Sequence, residues 1–142
     1  MSNAPAEYDA GVSTERVLAY RGRNSRYFNI ARKTALCSAQ SDYKHGAVLV
    51  KGGSVINTSC NKNRLVSFGS RFCTEHNGTP TLHAELGAIL GIDRNITEGA
   101  SLYVARVGKD YGFRLSKPCA MCSAAMTYVG IKRVYWTIDN HN

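Results

Sequence analysis

Apolar positions along the chain change period several times, and each change marks an element. Between residues 26 and 39, Phe28, Ala31, Ala35, Leu36 and Ala39 recur at helical spacing, with Arg32 and Lys33 beside the stripe. That pattern predicts a helix with one buried face, on which Cys37 is expected as a small core residue. Residues 46–51 form a short, nearly continuous apolar run of the kind a buried strand carries. Gly52-Gly53 supplies a two-residue hairpin turn, and residues 54–60 are the returning strand. Residues 61–80 are polar and contain Gly69, Asn77-Gly78 and Pro80. A connection of that length inside one domain is usually functional. Helical spacing resumes over 82–90, with Thr81 as the expected N-cap. Residues 100–107 read as a strand, 108–117 as a basic loop, 118–128 as a helix opened by Pro118, and 131–138 as a last strand.

Residues 1–22 show no sustained period and are expected as a loosely ordered arm before a single domain at 23–142. Helix, hairpin, helix, strand, helix, strand predicts an α/β sandwich around one mixed sheet.

Composition narrows the class. The chain has 142 residues, a length that suits one domain, and 44% of them are hydrophobic, which suffices for a packed core and excludes wholesale disorder. No apolar run approaches the roughly 18 residues of a membrane-spanning helix. Lys and Arg total 18 against 10 Asp plus Glu, so the net charge of +8 favours phosphate-bearing partners or a solvated basic surface. The five cysteines, Cys37, Cys60, Cys73, Cys119 and Cys122, are an odd number. The first residues lack the charged and apolar regions of a secretory signal and carry Glu7, Asp9 and Glu15. Metal or thiol chemistry in a cytoplasmic setting is therefore expected over a disulfide framework.

Two segments carry that chemistry together, His83-Ala84-Glu85 and Pro118-Cys119-Ala120-Met121-Cys122. Cys119 and Cys122 lie three apart in one helical turn, where the helix start favours thiolate. His83 opens its own helix. Two such helix starts can meet and hold zinc through one nitrogen and two sulfurs, leaving the fourth tetrahedral position open. Glu85, two residues beyond His83, turns about 200° around the axis and cannot easily ligate beside it. It can instead move a proton between a zinc-activated water and a substrate nitrogen. A redox Cys-x-x-Cys lacks its usual Trp-Cys-Gly-Pro-Cys context here, and a closed structural site completed by Cys60, Cys73 or His76 would leave Glu85 without a use.

This combination resembles the signature of the zinc-dependent cytidine deaminase superfamily, in its deoxycytidylate and tRNA-adenosine deaminase branch. Residues 46–50 are similar to the first strand of that branch, and residues 130–135 to its fourth. The resemblance implies a three-layer α/β/α cytidine-deaminase-like sandwich, here a short version ending after the fourth strand. It implies Zn²⁺ on His83, Cys119 and Cys122, Glu85 as the catalytic acid/base, Asn61 on the sugar and the Ala47 backbone on the base edge. Lys62, Arg64, Arg114 and Lys117 are the cations expected at a phosphate. Cys60, Cys73 and His76 have the spacing of a second metal site found in some relatives. Lys62, Asn63 and Arg64 replace the Gly and Pro that regulated deoxycytidylate deaminases carry after the asparagine, so an allosteric nucleotide site is not expected.

Three functions fit these residues. The first is hydrolytic deamination of a cytosine nucleotide such as dCMP. The second is deamination of cytosine or adenosine in RNA or single-stranded DNA. There Lys109, Arg114, Lys117, Lys132 and Arg133 would track the backbone, and Tyr111, Phe113 or Trp136 would stack bases. The third is a non-catalytic zinc-stabilised module. A last strand carrying Val134, Tyr135 and Trp136 at a sheet edge would invite pairing, so a homo-oligomer through that strand is expected.

Overall fold

The predicted hairpin is the backbone of the sheet. In the computed structural model, which describes residues 6–8, 22–39, 44–65 and 81–138, Gly52 and Gly53 turn with φ 58° and 81°. These left-handed values suit a tight hairpin turn. They join β2 (Lys44–Lys51) to β3 (Ser54–Cys60) in antiparallel register. On its other side β2 pairs antiparallel with β6 (Ser101–Val107), and β6 pairs parallel with β8 (Arg133–Trp136). A parallel pair needs a crossover, which α4 (Ala120–Tyr128) provides. β1 (Ala6–Tyr8) lies antiparallel on β8, giving the order β1-β8-β6-β2-β3. Beyond the end of β8, β7 (Phe113–Arg114) takes over the edge of β6. A separate ladder joins β4 (Lys62–Leu65) to β5 (Thr81–Leu82).

Strand alternation divides the core in two. Val48 and Val50 on β2, with Tyr103 and Ala105 on β6, face α1 (Gly22–Ala35), where they meet Tyr27, Phe28 and Ala31. Tyr103 stacks on Tyr135 at 4.6 Å and takes Phe28 edge-on at 5.2 Å. On the opposite face Ala47, Leu49, Leu102, Val104 and Val134 pack against α4 and α2 (Ala84–Ile89). Helices on both faces of one mixed sheet make the expected three-layer sandwich.

Several expectations change in detail. The first helix begins at Gly22 and ends at Ala35, so Cys37 falls in the turn after it, exposed, with its thiol on the Lys33 carbonyl. Thr81 belongs to β5, and the N-cap of α2 is His83. Pro118 precedes α4, whose N-cap is Cys119. The short helix α3 (Arg94–Thr97), capped by the Asp93 side chain, lies between α2 and β6. The expected docking edge is also corrected. β1, within the stretch expected as an arm, covers β8, and Val134, Tyr135 and Trp136 are all buried.

That cover is testable. Deleting residues 1–8 uncovers the β8 edge and its apolar residues, and an exposed apolar edge recruits another chain. The truncated protein should self-associate at concentrations where the full chain does not, and light scattering on both reads this directly. Equal mass distributions would show that β1 protects nothing.

Candidate metal centre

Two helix starts converge on the face that carries α2 and α4. His83 enters α2 with φ −78° and ψ 154°, and its side chain makes no capping bond. Cys119 enters α4 with φ −75° and ψ 171°, again without a side-chain cap. Both side chains are therefore used for something other than capping. His83 Nδ1 lies 3.3 Å from Cys122 Sγ and 3.7 Å from Cys119 Sγ. Zinc bonds of about 2.3 Å to sulfur and 2.0–2.1 Å to nitrogen, at the tetrahedral angle, require N···S separations of about 3.6 Å. The three donors already hold that spacing, all within 4.8 Å of one another. They fit zinc.

The protonation of the donors is shaped by their crowding. Hydrogen bonding from the Cys122 thiol pulls Cys119 down to about 4, with His83 adding to the effect. Cys122, fully buried, moves in the opposite direction, because its proton is held by Cys119 and a second buried thiolate beside the first is unfavourable. His83 is raised, chiefly by its hydrogen bond to Cys119. A divalent cation resolves this crowding by replacing the shared protons. Glu85, 5% exposed in the first turn of α2, is pushed up to about 7 by burial.

The predicted substrate residues are placed unequally. Asn61 comes to the centre: Leu82 pairs with Lys62, so the chain entering His83 runs beside Asn61. His45 holds it there, its N–H donating to Asn61 Oδ1 at 3.0 Å and its carbonyl accepting from Asn61 N–H at 3.2 Å. Nothing in the sequence pattern singled out His45 for that backbone clamp. Ala47 is fully buried between Ser59 and Val104, on the sheet face that carries α2 and α4. Lys62 is exposed on β4, Arg64 lies on the same strand, and Lys117 is exposed two residues before Cys119. Arg114 is already paired. Its guanidinium pairs with Asp110 at 2.9 Å, donates to the Phe113 carbonyl at 3.0 Å and crowds Gly108, so it closes its own loop.

Of the residues expected at a second metal site, the structure describes Cys60. Cys60 is buried opposite Gly46, whose missing side chain faces α1, so Cys60 points away from the zinc donors. Cys73 and His76 lie outside the described residues. Among the aromatics considered for base stacking, Phe113 and Trp136 are buried, and Tyr111 is exposed.

Among the described residues three protein donors gather, and three donors with a fourth position open mark a catalytic kind of zinc centre, where a structural one is closed by four. Residues 22–138 match the family described as the cytidine and deoxycytidylate deaminase zinc-binding region, and the chain belongs to that family. The structure is similar to the crystal structure, in apo form, of the dCMP deaminase from the cyanophage S-TIM5. The TM-score is 0.56 and the identity 27%, over 79% of each chain. No curated protein matches the sequence significantly. Among the described residues, no helix is long and apolar enough to cross a membrane.

Proposed function

We propose that the protein is a zinc-dependent hydrolase that deaminates the cytosine of a free nucleotide of the dCMP kind, consuming water and releasing ammonia and the uracil form. The observation that carries the reading is Glu85, a carboxyl buried at the start of α2, two residues from a metal donor. Burying an acid costs stability, a cost that a functional role explains and a structural zinc does not.

Bound zinc supplies Lewis-acid activation of a water at neutral pH. Glu85 accepts the proton of that water and returns it to ring nitrogen N3. As the water oxygen bonds to C4, Glu85 takes its remaining proton and delivers it to the exocyclic amine, so the C4–N bond breaks, the oxygen stays as the C4 carbonyl and ammonia leaves. Asn61, clamped by His45, orients the sugar. Ala47 and Ala84 pack in the apolar floor beneath the site. Lys62, Arg64 and Lys117 are the cations for a phosphate.

A free nucleotide is favoured over a polymer because the surface a polymer needs has shrunk. Two of the three stacking aromatics are buried, and Arg114 is neutralised by Asp110. Similarity to a dCMP deaminase supports the same choice. The test is to incubate zinc-loaded protein with cytidine, dCMP, dCTP, a single-stranded oligonucleotide and tRNA, and to score deamination by mass. Conversion of the monomeric cytosine compounds, led by dCMP, is expected. Turnover confined to the oligonucleotide or tRNA would overturn the reading. Salt-sensitive binding alone reports only backbone attraction, so turnover is the criterion.

A further inference from the structure

Cys119 reaches the metal at the end of a stretch with no regular structure, residues 115–119. Neither its own side chain nor a helix fixes its approach, since it is the N-cap and α4 begins only after it. Something must set where this chain lies. Within the stretch Leu115 and Lys117 are exposed, Pro118 is buried, and the polar Ser116 is 2% exposed. A fully buried position is ordinarily filled by an apolar side chain, and a hydroxyl there is tolerated only when it is hydrogen-bonded.

Ser116 is bonded, and to a particular partner. Thr137, 3% exposed, sits just past the end of β8. The two hydroxyl oxygens are 2.9 Å apart. Ser116 Oγ donates to the Val104 carbonyl at 2.9 Å and accepts from Thr137 N–H at 2.9 Å. The Ser116 N–H donates to the Thr137 carbonyl at 2.9 Å. Thr137 Oγ1 donates to the Arg114 carbonyl at 2.7 Å and accepts from Arg106 N–H at 3.2 Å.

The place of this knot explains its form. β6 pairs with β8 as far as Val104↔Trp136 and with β7 from Arg106↔Arg114. Between these ladders β6 changes partner, and Thr137 occupies the gap, satisfying the backbone of Arg106 on one side and Arg114 on the other. Ser116 then hangs the ligand-bearing stretch from the same point, three residues before Cys119.

We infer that Ser116 and Thr137 are positioning residues for the zinc centre: their hydroxyls, each bonded to the backbone where the two segments meet, fix the approach of Cys119 and hence the affinity for the metal. The inference rests on the metal centre and not on the choice of substrate.

Zinc affinity is measured by competition with a chromophoric chelator, and donor geometry by the absorption bands of the cobalt-substituted protein. Ser116→Ala and Thr137→Val should each weaken zinc binding about 10- to 100-fold, the range seen when groups supporting metal ligands are removed, and should alter the cobalt bands. Thr137→Ser, which keeps the hydroxyl, should retain wild-type affinity. Tyr27→Phe is the control. It removes a hydrogen bond of 2.8 Å to the Gly53 carbonyl from the α1 layer of the sandwich, and should lower Tm without moving zinc affinity. Should Thr137→Val fail to fold, Ser116→Ala carries the same expectation. Wild-type zinc affinity and cobalt bands in the Ser116 and Thr137 variants, or losses no greater than in Tyr27→Phe, would overturn the inference. A wild type that takes up no zinc would remove the metal centre and the inference with it. Zinc-loaded protein that deaminates nothing counts against the proposed function and leaves this inference standing.

Discussion

Glu85→Gln should leave zinc bound and reduce turnover by at least 10²- to 10⁴-fold, the range supplied by a positioned proton carrier. The carboxyl lies in the first turn of α2, 5% exposed, so it works with little competition from solvent. Glutamine has nearly the same shape and fills the same buried position, yet it cannot pass a proton between water and a ring nitrogen. His83, Cys119 and Cys122 are untouched, so zinc content should match the wild type. Two measurements on one preparation decide the matter, the metal content and kcat on dCMP. Full zinc with kcat reduced to background is the expected pair. Full zinc with unchanged kcat would mean that another group carries the proton. Removing a buried ionisable group also removes a desolvation cost, so Tm of the metal-free variant should hold or rise.

Much of this site was legible because its signals are local. A histidine and a glutamate two residues apart, and two cysteines three apart behind a proline, each specify a short segment whose geometry follows from the helix repeat. The β2–β3 hairpin was legible for the same reason, since Gly52-Gly53 dictates its turn and the apolar run dictates β2. What escaped depends on residues far apart in sequence. Nothing local in Ala6–Tyr8 announces that it will pair with Val134–Trp136, and only a strand left without a partner hinted that some cover was needed. Arg114 looked like a phosphate cation because its charge is visible in the sequence, while its commitment to Asp110 depends on how the loop closes. Ser116 looked like a loop residue. Its burial against Thr137, 21 positions away, comes from the change of partners along β6. The cap positions moved by a residue or two because helix ends are set by competing backbone and side-chain bonds.

Gly46 shows the same contrast between local and distant constraint, and it yields the largest expected effect on stability. In the sequence it merely opens an apolar run. In the structure α1 crosses β2 there, so close that an added Cβ would stand 2.2 Å from the Ala31 carbonyl oxygen and 2.5 Å from the Ala35 nitrogen. Both obstacles are backbone, and Ala31 and Ala35 are fully buried, so no side chain can swing aside. Gly46→Ala must push α1 away from the sheet and open its contacts through Tyr27 and Phe28. Overpacking of a rigid core costs about 1–3 kcal/mol, and the absence of any flexible neighbour puts this case at the upper end. For a domain of this size, about 3 kcal/mol lowers Tm by about 10 °C. Gly52→Ala provides the comparison. Its φ of +58° is costly for alanine, but nothing stands within 4 Å of the added Cβ. Its penalty is the left-handed one alone, about 1–2 kcal/mol. Calorimetry on the two variants should therefore show a clearly larger drop for Gly46→Ala. Zinc content should be intact in both, because the metal centre is built on the opposite face of β2. An unchanged midpoint for Gly46→Ala would show that α1 does not rest on the sheet as closely as its backbone indicates.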